Sequence, residues 1–238
     1  MHLTLGVGEM ERRRAFAAAH AAPGTEIVTR PTQGGPASIE TPRDAAIVVP
    51  ELLSCLSPEA TEGFDAAIIS CFGDPGIDAI REQCSLPVIG PGSAAYHAAA
   101  QFGSRFSLLT TAGGTTGPIA AQLRALGLAD LFASVRDVGC TVMDFAQRKE
   151  GSFEKVVAAA HRCVAEDGAD ILVIGCMSMA FMPGAHVELQ KAVGIPVVNP
   201  VIAAVKSAEA AIALGLYPKR GSGVHRPEER SKETGNRS

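Results

Sequence analysis

The chain has 238 residues, 47% of them apolar, with few aromatics, no tryptophan and a formal net charge of −4. That length can bury a large core in one domain or two small ones, and the acidic balance gives no reason to expect nucleic acid or an anionic membrane as partner. No apolar run approaches the roughly 18–20 residues that span a bilayer. In "MHLTLGVGEMERRR" the basic cluster follows the short apolar stretch, the reverse of a secretory signal, so the expected location is the cytoplasm.

Along the chain, β-rich apolar runs alternate with alanine-rich segments. "HLTLG" (2–6) leads to a helix at 9–20, and "TEIVTR" (25–30) to one at 44–56. "FDAAIIS" (64–70) precedes "PGIDAIREQ" (75–83), and "LPVIG" (86–90) precedes "SAAYHAAAQF" (93–102). "FSLLT" (106–110) and "FASVRDV" (132–138) flank "GPIAAQLRAL" (117–126), and "FEKVVAAAHRCVAE" (153–166) follows. "DILVIG" (170–175), "PGAHVELQKAV" (183–193), "IPVVN" (195–199) and "VIAAVKSAEAAIAL" (201–214) complete the series. Fully apolar strands separated by helices predict parallel sheets covered on both faces, an α/β class.

The second half echoes the first. "FDAAIISC" answers "GADILVIGC", and "LPVIGPGSAAYHAAAQFG" answers "IPVVNPVIAAVKSAEAAIALG", at an offset of about 105 residues. The expected architecture is two similar Rossmann-like lobes, each a roughly four-stranded parallel sheet flanked by helices, related by a pseudo-two-fold axis. Residues 1–95 plus 201–216 form the first lobe, 96–200 the second, and 217–238 a polar, disordered tail.

Six cysteines stand at 55, 71, 84, 140, 163 and 176, with no CxxC pair and no zinc-ligand spacing. The duplication makes Cys71 and Cys176 equivalent, each at the carboxyl end of a central strand, where open α/β sheets bind ligands. A cleft with a thiol on either wall suits inversion of a carbon stereocentre, which needs a base on one face and an acid on the other. The thiol pKa, ordinarily about 8.5, can be lowered by local positive potential. Asp74 as N-cap and Pro75 as first helical residue predict a helix start beside Cys71 that supplies such a potential. Cys140, in "DVGCTVMD", has no counterpart in the first half and reads as packing, as do Cys55, Cys84 and Cys163. His97, His161 and His186 read as residues of helix faces.

"SCFGDPGIDAIRE", "PVIG", "SLLTT", "EDGADILVIGC" and "AAVKSAEAAIALGL", with the loop "GGPASIE" (34–40), resemble the hydantoin racemase branch of the aspartate/glutamate racemase superfamily. The resemblance covers roughly residues 22–216. It implies a cofactor-independent, metal-free enzyme, commonly a homo-oligomer, acting on a small-molecule substrate in an inter-lobe cleft. Cys71 and Cys176 would be the acid/base pair, Phe72, Gly73, Asp74, Met177 and Ser178 would line the cleft, and Thr110 and Thr111 would donate to substrate carbonyls. The branch opens with an Asn-Pro-Asn-Thr-like turn where this chain has Gly6, Val7, Gly8 and Glu9. Gly8, in that turn, is placed with the substrate-binding residues. Ser93 replaces a glutamate, and Met177, Met179, Phe181 and Met182 either narrow the site or pack between lobes. The implied reaction is racemisation of a 5-substituted hydantoin or related cyclic ureide. The alternatives are decarboxylation or cis–trans isomerisation, or a non-catalytic two-lobed binding protein.

"LGVGEME" lacks the third glycine of a dinucleotide loop, "TTAGGTTG" lacks a Lys-Ser/Thr ending, and there is no G-x-S-x-G elbow.

Overall fold

The computed structural model describes residues 7–111 and 116–218. The run at 2–6, residues 112–115 of the "TTAGGTTG" loop and the tail from 219 lie outside these residues.

Helices α1 (Val7–Ala19) and α2 (Pro42–Cys55) precede the first strand, β1 (Ala67–Ile68). Then come α3 (Ile77–Gln83), β2 (Val88–Ile89), α4 (Pro91–Phe102), β3 (Phe106–Thr110), α5 (Thr116–Ala125) and β4 (Phe132–Asp137). The remainder is α6 (Val142–Ala146), α7 (Ser152–Ala165), β5 (Ile171–Ile174), α8 (Met177–Ala180), α9 (Ala185–Val193), β6 (Val197–Val198) and α10 (Pro200–Ala213). The short helices α6 and α8 have too few residues to show helical periodicity, which is why the sequence pattern passes over them.

Among the described residues the strands form a two-stranded sheet, β1-β2, and a four-stranded sheet in the order β4-β3-β5-β6. Every pairing is parallel. The class is therefore α/β, as the apolar runs predict, but the first sheet is narrower than the four strands expected. Residues 25–30 do not form a strand. Residues 26–30 and 66–70 line a common cavity of about 230 Å³, and no ladder bond joins them, so the β-branched composition there finds no partner edge.

β3 and β5 are buried along their whole length, which accounts for runs as apolar as "FSLLT" and "ILVI". Around them lies the larger core, which includes Tyr96, Phe106, Leu108, Leu109, Leu172 and Val173. A smaller core of Val48, Leu52, Ile69, Ile80, Cys84 and Val88 underlies the first sheet.

Two strand pairs repeat one another. Ala67 faces Val88 and Ile68 faces Ile89 in β1-β2, while Leu172 faces Val197 and Val173 faces Val198 in β5-β6. These are the positions that the internal sequence echo aligns. The helices that follow cross over: α4 leaves β2 to pack on β5 and β6, and α10 leaves β6 to pack on β1 and β2. α4 and α10 also pack against each other. Cysteines at the ends of β1 and β5 are thereby brought to one region.

Candidate active site

Cys71 lies just beyond β1, in a turn where the Asp74 N–H donates to the Cys71 carbonyl at 3.2 Å. Asp74 adopts a left-handed φ of 49°, a conformation that Asp tolerates better than most residues. The expected helix start beside the thiol is not there. α3 begins at Ile77 with Gly76 as its N-cap, and the Asp74 carboxylate turns to a different helix. It accepts from the N–H groups of Gly92 at 3.0 Å and Ser93 at 2.8 Å, and from Ser93 Oγ at 2.6 Å. Gln122 Nε2 adds a fourth donor at 3.0 Å. Asp74 thus caps α4, whose own cap position is occupied by Gly90. A glycine is required there, because a Cβ would stand 2.4 Å from the Asp74 carboxyl carbon. Ser93 serves this cap and does not line the cleft.

Cys176 is itself the residue that precedes α8. The N–H groups of Ser178 and Met179 lie on its sulfur's side and favour its ionised form. Gly175 fixes the position: its N–H donates to the Leu109 carbonyl at 2.7 Å, and a Cβ there would come within 2.6 Å of the same oxygen. The amino-terminal donors foreseen for the first thiol therefore serve the second.

Both cysteines line one cavity of about 350 Å³, within the range of small-molecule sites. Phe72 and Gly73 join it from the first turn, Met177 and Ser178 from α8, and Thr110 and Thr111 from the end of β3. Asp74 and Gly8 are not brought there. Asp74 is buried behind the Cys71 turn, and Gly8 is exposed in the first turn of α1. Of the four residues Met177, Met179, Phe181 and Met182, only Met177 lines this cavity; Met179 is core. Cys140 is also a buried core residue, and among the described residues no group of three or more His, Cys, Asp or Glu could hold a metal ion.

The thiols differ electrostatically. Burial pushes Cys71 up to about 12; the neighbouring Asp74 charge and Cys176 add to this, while the Gly73 N–H opposes it. Burial raises Cys176 too, with Glu40 adding to it, but the Met179 and Ser178 N–H groups and the Arg13 guanidinium pull the other way.

Arg13 is the cavity-lining residue least visible in the sequence. It is 4% exposed. Its Nη2 donates to Ser178 Oγ at 2.8 Å and its Nε to Glu9 Oε1 at 2.8 Å, and its guanidinium lies over the Phe181 ring at 4.9 Å. In "ERRR" it has flanking arginines, and only the i,i+4 spacing from Glu9 sets it apart. The loop 37–42 also contributes to the lining, with Ala37, Ile39, Glu40, Thr41 and Pro42.

The family model of the Asp/Glu/Hydantoin racemases matches residues 9–208. The chain belongs to the Asp/Glu/Hydantoin racemase family. It is 36% identical over 180 residues to a hydantoin racemase of Rhizobium meliloti, covering 76% of this chain and 73% of that one. A hydantoin racemase of Paenarthrobacter aurescens is 32% identical over 210 residues, covering 88% of each. Among solved structures, allantoin racemase from Klebsiella pneumoniae superposes with a TM-score of 0.85 at 33% identity, covering 96% of this chain and 92% of that one. Membership in this racemase family places the chain among the isomerases. Arg13 of α1, paired with Glu9, reaches the Ser178 wall of the cavity.

Proposed function

We propose that the protein racemises a 5-substituted hydantoin or a related cyclic ureide without cofactor, using Cys71 and Cys176 as paired acid and base. The observation that carries this reading is that two cysteines from the ends of different sheets line a single small cavity. In this reaction one thiolate removes the hydrogen at C5. The electron pair of that C–H bond passes into the adjacent C4 carbonyl, giving an enolate. The opposite thiol then delivers its proton to the other face, so the thiol and thiolate have exchanged places and the enzyme is ready for the reverse reaction. Thr110 and Thr111, which line the same cavity, would donate to the developing oxygen, where charge stabilisation contributes most. The substrate class rests on the names of the relatives, including an allantoin racemase; allantoin is itself a hydantoin bearing a ureido group at C5.

The test uses single enantiomers of 5-benzylhydantoin and of allantoin in deuterium oxide, with optical rotation and deuterium at C5 followed together. Loss of rotation with matched deuterium incorporation supports racemisation. Carbon dioxide released from an arylmalonate would assign decarboxylation instead, and saturable hydantoin binding without exchange would make the protein a binding module.

A further inference from the structure

The two thiol walls carry unlike neighbours, and the difference has a direction. On the Cys71 side a buried carboxylate, Asp74, sits three residues from the thiol and is fixed there by four donors. On the Cys176 side the equivalent capping task is done by a neutral amide: Asn199 Oδ1 accepts from Val201 N–H at 2.9 Å, and its Nδ2 donates to the Ala180 carbonyl at 2.9 Å. The charge beside Cys176 comes instead from Arg13, which enters from α1 and is locked onto Ser178, the second residue of α8. Glu9 takes the Nε edge of the guanidinium, leaving the Nη edge towards Ser178 and the cavity. Glu40, from the loop before α2, is the acidic group that acts on Cys176. Around Cys176 a cation, itself paired with Glu9, and two backbone N–H groups thus oppose the Glu40 carboxylate, whereas Cys71 has the Asp74 carboxylate and one N–H.

We propose that Cys176 ionises before Cys71, and that Arg13, bonded to Ser178 on the Cys176 wall while Asp74 sits beside Cys71, is the positioning residue that maintains this order. The inference deepens the two-thiol reading given above, but thiol ionisation can be observed with no substrate present. One enantiomer then meets the thiol that ionises more readily. The other requires Cys71, the harder thiol to ionise, to have lost its proton.

The experiment alkylates the full-length protein with iodoacetamide between pH 6 and pH 11 and follows Cys71 and Cys176 separately by peptide mass spectrometry. The inflection reports ionisation and the plateau reports access. Cys176 is expected to inflect at lower pH than Cys71. Arg13→Gln should raise the Cys176 inflection by about one unit, a roughly tenfold slower labelling at neutral pH, and leave Cys71 in place; Arg13→Lys should restore most of the shift. Glu9→Gln, which removes the counter-charge, should move Cys176 the opposite way and keeps the test decisive if Arg13→Gln does not fold. Cys71 inflecting first overturns the proposal, as does a Cys176 inflection that ignores both variants. Ordered labelling without racemisation in deuterium oxide would refute the two-thiol reaction while leaving this ionisation pattern intact; racemisation with reversed labelling would do the converse.

Discussion

Cys71 and Cys176 follow strands of matching register, and the next strands, β2 and β6, each lead into a helix that starts with proline, yet the two halves secure that helix in opposite ways. In the first, the turn that carries the thiol sends Asp74 out to cap α4, and the cap position is left to Gly90 because the carboxylate fills its side-chain space. In the second, α10 caps itself with Asn199, and that amide reaches back to the Ala180 carbonyl at the end of α8. The mechanical outcome is the same: each thiol's turn is tied to the helix beyond it. The electrical outcome differs, because one tie is an anion and the other is neutral. Two strand pairs of matching register thus lead to two similarly placed thiols, and the choice of capping residue makes their surroundings unequal.

The comparison breaks most directly at the sulfurs. Cys71→Ser and Cys176→Ser are each expected to lower racemisation by at least about 100-fold, since a serine hydroxyl is a far weaker acid and base at this position. Cys140→Ser, in the core, should leave most activity in the protein that folds. Polarimetry on both enantiomers checks this, and an inactive but folded Cys140→Ser would overturn the assignment of the pair. The next effect tests the tie itself. Gly92 lies where a Cβ would come 2.1 Å from the Phe72 carbonyl oxygen, which is backbone and cannot swing aside. Gly92→Ala should cost about 2–3 kcal/mol in urea unfolding by overpacking. Because the Cys71 turn must shift, it should also reduce turnover more than the stability loss alone explains. An unchanged midpoint would mean that α4 is not pressed against that turn.

The paired cysteines, the alternation of strand and helix, and the parallel sheets were legible because each is written locally, in apolar runs or in a repeated pattern. Residues 25–30 misled because β propensity describes fitness for a sheet surface and says nothing of whether a partner edge is in reach. Asp74 misled for a related reason. "DPG" after a strand is a sound helix-start pattern, but the donors that captured the carboxylate, Gly92 and Ser93, belong to a helix reached only after β2. Arg13 required knowledge that α1 packs beside α8, a contact between residues 165 positions apart. Local chemistry was readable, whereas the long-range choice of partner was not.

Removing the two ties should rank them. Asp74→Ala leaves the Gly92 and Ser93 N–H groups without their acceptor, at a cost of about 2–3 kcal/mol. Asn199→Ala loses one capping acceptor and one donor and should cost about 1–2 kcal/mol. Urea titration distinguishes them. Asp74→Asn, which keeps an acceptor but removes the charge, should in addition lower the Cys71 alkylation inflection and leave that of Cys176 in place. Equal effects from the two alanine variants would mean that charge adds nothing to the first tie.

The smallest expected effect lies behind the second wall, where α6 packs against α8. Thr141 and Asp144 form a capping box at the start of α6, and Lys149 pairs with the same carboxylate at 3.0 Å. The Thr141 N–H, first, and then Lys149 hold the Asp144 carboxyl down at about 2. Because the folded value lies below the unfolded one, Asp144 stabilises the fold at pH values above the ordinary carboxylate range, about 4. That contribution fades as the pH falls from about 4 towards 2, where the folded state also takes up the proton. Asp144→Asn should therefore be the less stable protein at pH 7 and should converge on the parent near pH 2, as read from urea midpoints at each pH. A gap that persists undiminished at pH 2 would show that the charge of Asp144 is not what holds α6, and with it the Val142 and Met143 lining of the cavity, in place.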